Sequence, residues 1–181
     1  MGGEEAKKLL VKEMAPGRVF EDYYDKFVIA TGASPFIPMV EGITRSHVFF
    51  LRNVQNAIAI REFIQIRRPK TAVIAGTGFI GFEMLENLTG LNINVTLVEL
   101  ADKITPNLDM DMAIFLENDL LKRGVSILRS NSIQKIDEMG VLLSDGQILE
   151  ADMVIMATGV RPNTALAENI GITLGITGES K

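Results

Sequence analysis

The stretch Val73-Ile74-Ala75-Gly76-Thr77-Gly78-Phe79-Ile80-Gly81-Phe82-Glu83 decides the fold of this chain. It joins an apolar run to a G-x-G-x-x-G turn and then to a helix-like pattern. In such a turn Gly76 lets the chain reverse tightly, Gly78 lets backbone N–H groups approach a pyrophosphate, and Gly81 lets the helix pack on its strand. The anion sits at the helix N-terminus, where unpaired N–H groups and the macrodipole favour negative charge. Three glycines alone are a weak signal, so the flanks decide. Residues 71–75 alternate like a strand, Ile80, Met84 and Leu88 recur at helical spacing, and residues 93–98 form a second strand. That strand ends in Glu99, 23 residues after Gly76, where an acid is placed to meet a ribose.

Outward from this β-α-β unit the pattern stays regular. Residues 53–66 carry Val54, Ala57, Ile58 and Ile64 on an amphipathic helix with Asn53 as N-cap, and Arg67-Arg68-Pro69-Lys70 breaks it. A connection containing Pro106 leads to a second helix over 109–123, with Asp109 and Asp111 in its first turn, Lys122 and Arg123 in its last, and Gly124 beyond. Residues 125–128 read as a third parallel strand. Three short β segments follow, 132–138, 141–144 and 147–150, with Asp145-Gly146 as a hairpin turn. Residues 152–157 return as a buried strand before Thr158-Gly159-Val160-Arg161-Pro162-Asn163.

Towards the N-terminus, residues 8–14 and 18–24 read as a hairpin around Ala15-Pro16-Gly17, and residues 25–30 as a third strand running into Thr31-Gly32-Ala33-Ser34-Pro35. Met1-Gly2-Gly3 reads as an appended start, and Glu179-Ser180-Lys181 is set aside in the same way.

The 181 residues are 47% apolar and 23% charged, with a formal charge of −5, which argues against a nucleic-acid footprint. No apolar run approaches the roughly 18–20 residues of a membrane span, and no signal-peptide pattern opens the chain, so a cytoplasmic protein is expected. With no cysteine, the chain holds no disulfide, thiolate metal cluster or cysteine redox centre. The lone His47 reads as packing or surface, and the nine methionines as core filler.

Several stretches, in order, carry a resemblance. They are Tyr24-Asp25-Lys26-Phe27-Val28-Ile29-Ala30-Thr31-Gly32-Ala33 with Pro35, then Phe50-Leu51-Arg52-Asn53, the glycine turn with Glu86-Asn87-Leu88, Val95-Thr96-Leu97-Val98-Glu99, and Ala157-Thr158-Gly159-Val160-Arg161-Pro162-Asn163. Two A-T-G turns bracketing a dinucleotide turn, with a meander between, resemble the FAD-dependent pyridine nucleotide-disulfide oxidoreductases. Within them the chain is similar to the coenzyme A-disulfide reductase, NADH oxidase and NADH peroxidase branch. The resemblance implies an α/β fold, a Rossmann-like doubly wound parallel sheet with an inserted antiparallel β-meander, of the FAD/NAD(P)-binding domain type. It also implies that the chain is an excised NAD(H)-binding domain. On that reading residues 1–45 are a remnant of the flavin-domain hairpin and linker, 46–165 the NAD(H)-binding domain, and 166–181 the start of the resumed flavin domain. FAD and the dimerisation segment belong to the full-length parent and are not expected in this fragment.

The cofactor expected is NADH, held by Gly76, Thr77, Gly78, Phe79, Ile80 and Gly81. Glu99 accepts hydrogen bonds from both adenosine ribose hydroxyls and repels the 2′-phosphate of NADPH. Leu100 follows it, no arginine is at hand to neutralise such a phosphate, and Lys103 is the one nearby cation in sequence. Ala157, Thr158 and Gly159 close a parallel strand where backbone approaches ligand. From the family, Phe79 lids the nicotinamide and Glu83 meets its carboxamide, each with an ordinary packing or helix-dipole role as the alternative. By the same analogy Ile133 touches adenine or belongs to the sheet core. Arg161-Pro162-Asn163 is read as a rigid exit. No catalytic or metal-binding residue is assigned within the chain. The function expected is presentation of NADH to a flavin that reduces a disulfide, peroxide or oxygen, the isolated fragment being inactive. The alternative is a free-standing NAD(H)-sensing or protein-interaction module; a methyltransferase is disfavoured because it has no place for the meander.

Overall fold

A computed structural model of the chain describes residues 7–15 and 17–175, so the expectations for Met1-Gly2-Gly3, Pro16 and residues 176–181 lie outside the described residues. Two compact units divide it, one reaching to Gly32 and resuming at Pro162, the other spanning Ala33–Arg161.

In the smaller unit β1 (Lys8–Lys12) and β2 (Val19–Tyr23) form an antiparallel hairpin, in register from Lys8 opposite Tyr23 to Lys12 opposite Val19. The third strand expected over 25–30 does not form. Its residues pair with neither β1 nor β2, and Val28 stays 82% exposed. The following Thr31-Gly32 turn is instead clasped to Asn163. Thr31 Oγ1 donates to the Asn163 carbonyl at 2.6 Å, Asn163 Nδ2 to the Thr31 carbonyl at 2.8 Å, and the Asn163 amide to the Gly32 carbonyl at 2.9 Å.

The larger unit opens with β3 (Ala33–Pro35) and β4 (Val48–Phe49), followed by α1 (Val54–Arg67), β5 (Thr71–Ala75), α2 (Phe79–Gly90) and β6 (Asn94–Val98). Then come α3 (Met110–Lys122), β7 (Ser126–Leu128), the meander β8 (Ile133–Ile136), β9 (Gly140–Leu143) and β10 (Ile148–Glu150), and finally β11 (Met153–Met156) and β12 (Val160–Pro162). A short helix α4 (Ala165–Asn169) belongs to the smaller unit. Residues 33–45, grouped from sequence with the N-terminal remnant, pack within the larger unit, where β3 pairs with β12.

The start of α1 follows the side chains that cap it. Asn53 Oδ1 accepts the Asn56 amide at 3.0 Å while Asn56 Oδ1 accepts the Asn53 amide at 3.2 Å, so two orphan donors of α1 are satisfied reciprocally. Five parallel strands run in the order β4-β11-β5-β6-β7. β5 and β11 are buried almost throughout, because both faces of the sheet are covered. Ala72, Ile74, Leu97, Met153 and Ile155 point to one core with Ile60 of α1, Met84 and Leu88 of α2, and Ala113 and Leu120 of α3. Val73, Ala75, Val98, Val154 and Met156 alternate to the other core with Ile133, Ile136, Val141 and Leu143 of the meander. The sheet with its inserted meander is thus the architecture that the sequence pattern predicts. Met156, Ala75, Val98 and Leu128 lie level across the sheet, so the turns after β11, β5 and β6 share one edge.

Candidate dinucleotide-binding site

Gly76, Glu99 and Ala157 are the first residues past those three strands. Gly76 has φ +101, a left-handed conformation that side chains resist, and a Cβ there would lie 2.4 Å from the Ala157 carbonyl oxygen. Gly81 is demanded by space: its Cβ would stand 2.2 Å from the Gly76 carbonyl oxygen, so any side chain would push α2 off the turn. At Gly78, by contrast, a Cβ would meet no protein atom within 4 Å. Gly78 is the N-cap of α2 and offers no side-chain acceptor, so the first N–H groups of the helix are left for solvent or a ligand.

Glu99 is buried and already engaged. Its Oε2 accepts the Thr77 amide at 2.9 Å and the Thr77 hydroxyl at 2.5 Å, and its Oε1 accepts the Ala101 amide at 2.9 Å. An ionised carboxylate has about four acceptor positions, so these three bonds leave about one open. Thr77 is 1% exposed, and its Oγ1 also accepts the Thr105 amide at 3.0 Å. Its hydroxyl therefore holds the acid and the 100–108 connection in place.

A cleft of about 560 Å³ opens at this edge, within the usual range of small-molecule sites. Gly76, Gly78, Glu99, Leu100, Ile133, Ala157, Thr158 and Gly159 line it together. Facing them are Phe36, Pro38 and Val40. That segment is tied down by the Phe36 amide on the Gly159 carbonyl at 2.9 Å, by Thr158 Oγ1 on the Phe36 carbonyl at 3.0 Å, and by the Arg161 guanidinium 4.5 Å over the Phe36 ring. Thermodynamically such a cleft can take an adenosine-sized apolar body, a ribose at Glu99 and a phosphate at α2.

The model of the pyridine nucleotide-disulphide oxidoreductase family matches residues 3–180. The chain belongs to that family. It is 39% identical over 163 residues to an NADH oxidase of Methanocaldococcus jannaschii, covering 88% of this chain and 36% of that protein. A coenzyme A disulfide reductase of Staphylococcus aureus is 29% identical over 171 residues, covering 94% of this chain and 38% of the relative. Among solved structures, reduced Bacillus anthracis CoADR-RHD matches with a TM-score of 0.89 at 33% identity, over 96% of this chain and 32% of that one. The chain spans about a third of the length of these relatives.

Not every residue singled out by the family's motifs reaches the cleft. Phe79 is 86% exposed and Glu83 is exposed on α2, while Ile80 borders a shallower groove with Leu51 and Val54. Lys103 donates its ammonium to the Leu108 carbonyl, which holds it within its own loop. Ile133 is buried against the sheet and also lines the cleft. The sequence reading missed Phe36, Pro38, Val40, Pro106, Asn107 and Asn131. Pro106 was legible as part of a connection, but nothing local shows which cleft such a connection borders. His47 sits just before β4, at the other edge of the sheet. Burial, then the Arg45 charge, hold its imidazole below the ordinary 6.5. Among the described residues no helix is long and apolar enough to cross a membrane.

Proposed function

We propose that the larger unit is the NADH-binding part of a flavin-dependent oxidoreductase, and that the smaller unit belongs to the flavin domain of the same parent. The observation that carries this reading is the uncapped N-terminus of α2, beside the open space at Gly78 and level with the buried carboxylate of Glu99. The free N–H groups of α2 would hold the pyrophosphate, the remaining acceptor position of Glu99 a ribose hydroxyl, and Ile133 with Val40 the apolar faces of the adenine. Ala157, Thr158 and Gly159 would border the nicotinamide end. Bound there, the dinucleotide supplies a hydride for a flavin held elsewhere in the parent, and this chain's residues contribute alignment and exclusion of water. Glu99 disfavours a 2′-phosphate by charge, so NADH is preferred to NADPH.

Titration of the purified chain with NADH and NADPH, followed by nucleotide fluorescence, tests the reading. NADH is expected to bind more tightly than NADPH, with no oxidation of NADH unless flavin is added. Absence of NADH binding at millimolar concentration would defeat the proposal; a yellow preparation consuming NADH unaided would defeat the assignment of the flavin to the rest of the parent.

A further inference from the structure

The N-terminal edge of the sheet carries a second cleft, of about 580 Å³, formed by residues 45–47, the end of α1 and the residues leading into β5 and β11. Its chemistry is cationic. Arg67, Arg68 and Lys70 fall within four residues of a chain whose formal charge is −5. Among the described residues none of the three forms an ion pair. Two acids share the lining with four cations: Asp152 accepts the Lys70 and Thr71 amides at 2.6 and 2.9 Å and also feels the Lys70 charge, and Glu138 lies 3.9 Å from Arg45, so the cationic groups are in excess. Arg45 itself donates Nε to the Ile136 carbonyl at 2.9 Å.

Two further features point to a ligand. Arg68 closes α1 at φ 50 and ψ 55, a left-handed position that glycine or asparagine fills at lower cost. His47, which lines the cleft, has its Nε2 shielded from solvent and without a hydrogen-bond partner. An unpaired ring nitrogen accepts from or donates to a hydrogen phosphate oxygen according to its tautomer. Complementing the α1 dipole accounts for Arg67 and Arg68, but neither for Lys70, which leads into β5, nor for His47. Guanidinium forks match phosphate oxygens two at a time, and three cations with an imidazole call for an anion of more than one charge.

We propose that this cleft binds a small polyphosphate, of about pyrophosphate size, at Arg67, Arg68, Lys70 and His47, separately from the dinucleotide cleft at the opposite edge of the sheet. The probe is inorganic pyrophosphate, titrated into the 181-residue chain already saturated with NADH and followed by backbone amide shifts. Saturable shifts at residues 45–47 and 67–70 are expected. Arg68→Gly suits the left-handed backbone and keeps the fold; it should weaken binding about threefold, and Arg67→Gln with Arg68→Gly about tenfold or more. Lys122→Gln with Arg123→Gln, a matched loss of charge at the end of α3, should leave binding unchanged. Shifts confined to residues 76–81, equal weakening by both double variants, or no saturable binding would each overturn the proposal. Should NADH itself not bind, the titration without it still decides, because the variants and the shift map are independent of the dinucleotide.

Discussion

Thr77 donates both its hydroxyl and its amide to Glu99 Oε2, at 2.5 and 2.9 Å, so the glycine turn and the acid after the next strand are locked together in a buried contact. The same hydroxyl accepts the amide of Thr105, a β-branched residue held at φ 46 where such residues are rare. Thr77→Val keeps the shape but leaves a carboxylate oxygen and the Thr105 N–H each short of a partner. Stability is expected to fall by about 2–3 kcal/mol, read by urea unfolding. NADH affinity should fall several-fold, and Thr77→Ser should recover most of both. A valine variant indistinguishable from the parent would dismiss this network.

Glu99→Arg exchanges the charge that the proposed function sets against the ribose. NADH affinity should fall and NADPH affinity rise, so that the ratio of the two dissociation constants inverts. Because Glu99 also accepts from Thr77 and Ala101, this variant should lose about 2–4 kcal/mol of stability as well. The affinity ratio, measured at a temperature where both proteins are folded, separates the two effects. An unchanged ratio removes Glu99 from the cofactor site.

The three glycines of the turn should respond differently to alanine. Gly76→Ala and Gly81→Ala drive a Cβ to 2.4 and 2.2 Å of backbone oxygens, and should cost about 3 kcal/mol or more each. Gly78→Ala meets no protein atom, so melting should be little changed while NADH affinity drops about tenfold or more. Thermal melts paired with NADH titration give the comparison; retained affinity in Gly78→Ala would mean that no ligand backbone passes there.

Asp152 sits below its ordinary 3.8 chiefly because the Lys70 amide bonds its charged form, helped by the amide and hydroxyl of Thr71. A depressed native value means that the unfolded chain takes up this proton first as pH falls. The stabilisation is therefore complete above about the unfolded value and lost as pH falls through the native one. Asp152→Asn should cost about 1 kcal/mol near neutrality, a modest figure because the residue is exposed, and almost nothing at pH values below the native one. Urea unfolding at neutral and acid pH checks it; parallel curves for both proteins would refute the assignment.

Local signals were legible where one stretch of chain satisfies itself. The cap Asn53, the Asp145-Gly146 turn and the alternation of 71–75 all state a backbone geometry that a few neighbours enforce. The apolar run at 25–30 failed for the converse reason: a strand requires a partner edge, and its composition cannot supply one. The β3–β12 pair joins residues more than a hundred positions apart, a relation that neither segment carries alone.

The sequence by itself determined the β-α-β unit, its meander and the two glycines that the turn requires, because periodicity and backbone sterics act over a few residues. Only the tertiary structure decided what the turn works with. It brought Phe36 and Val40 across to the cleft, left Phe79 and Lys103 out of its lining, and bound Thr77 to Glu99. Those outcomes depend on which strand ends lie level and which side chains already have partners, and both follow from packing between distant segments of the chain.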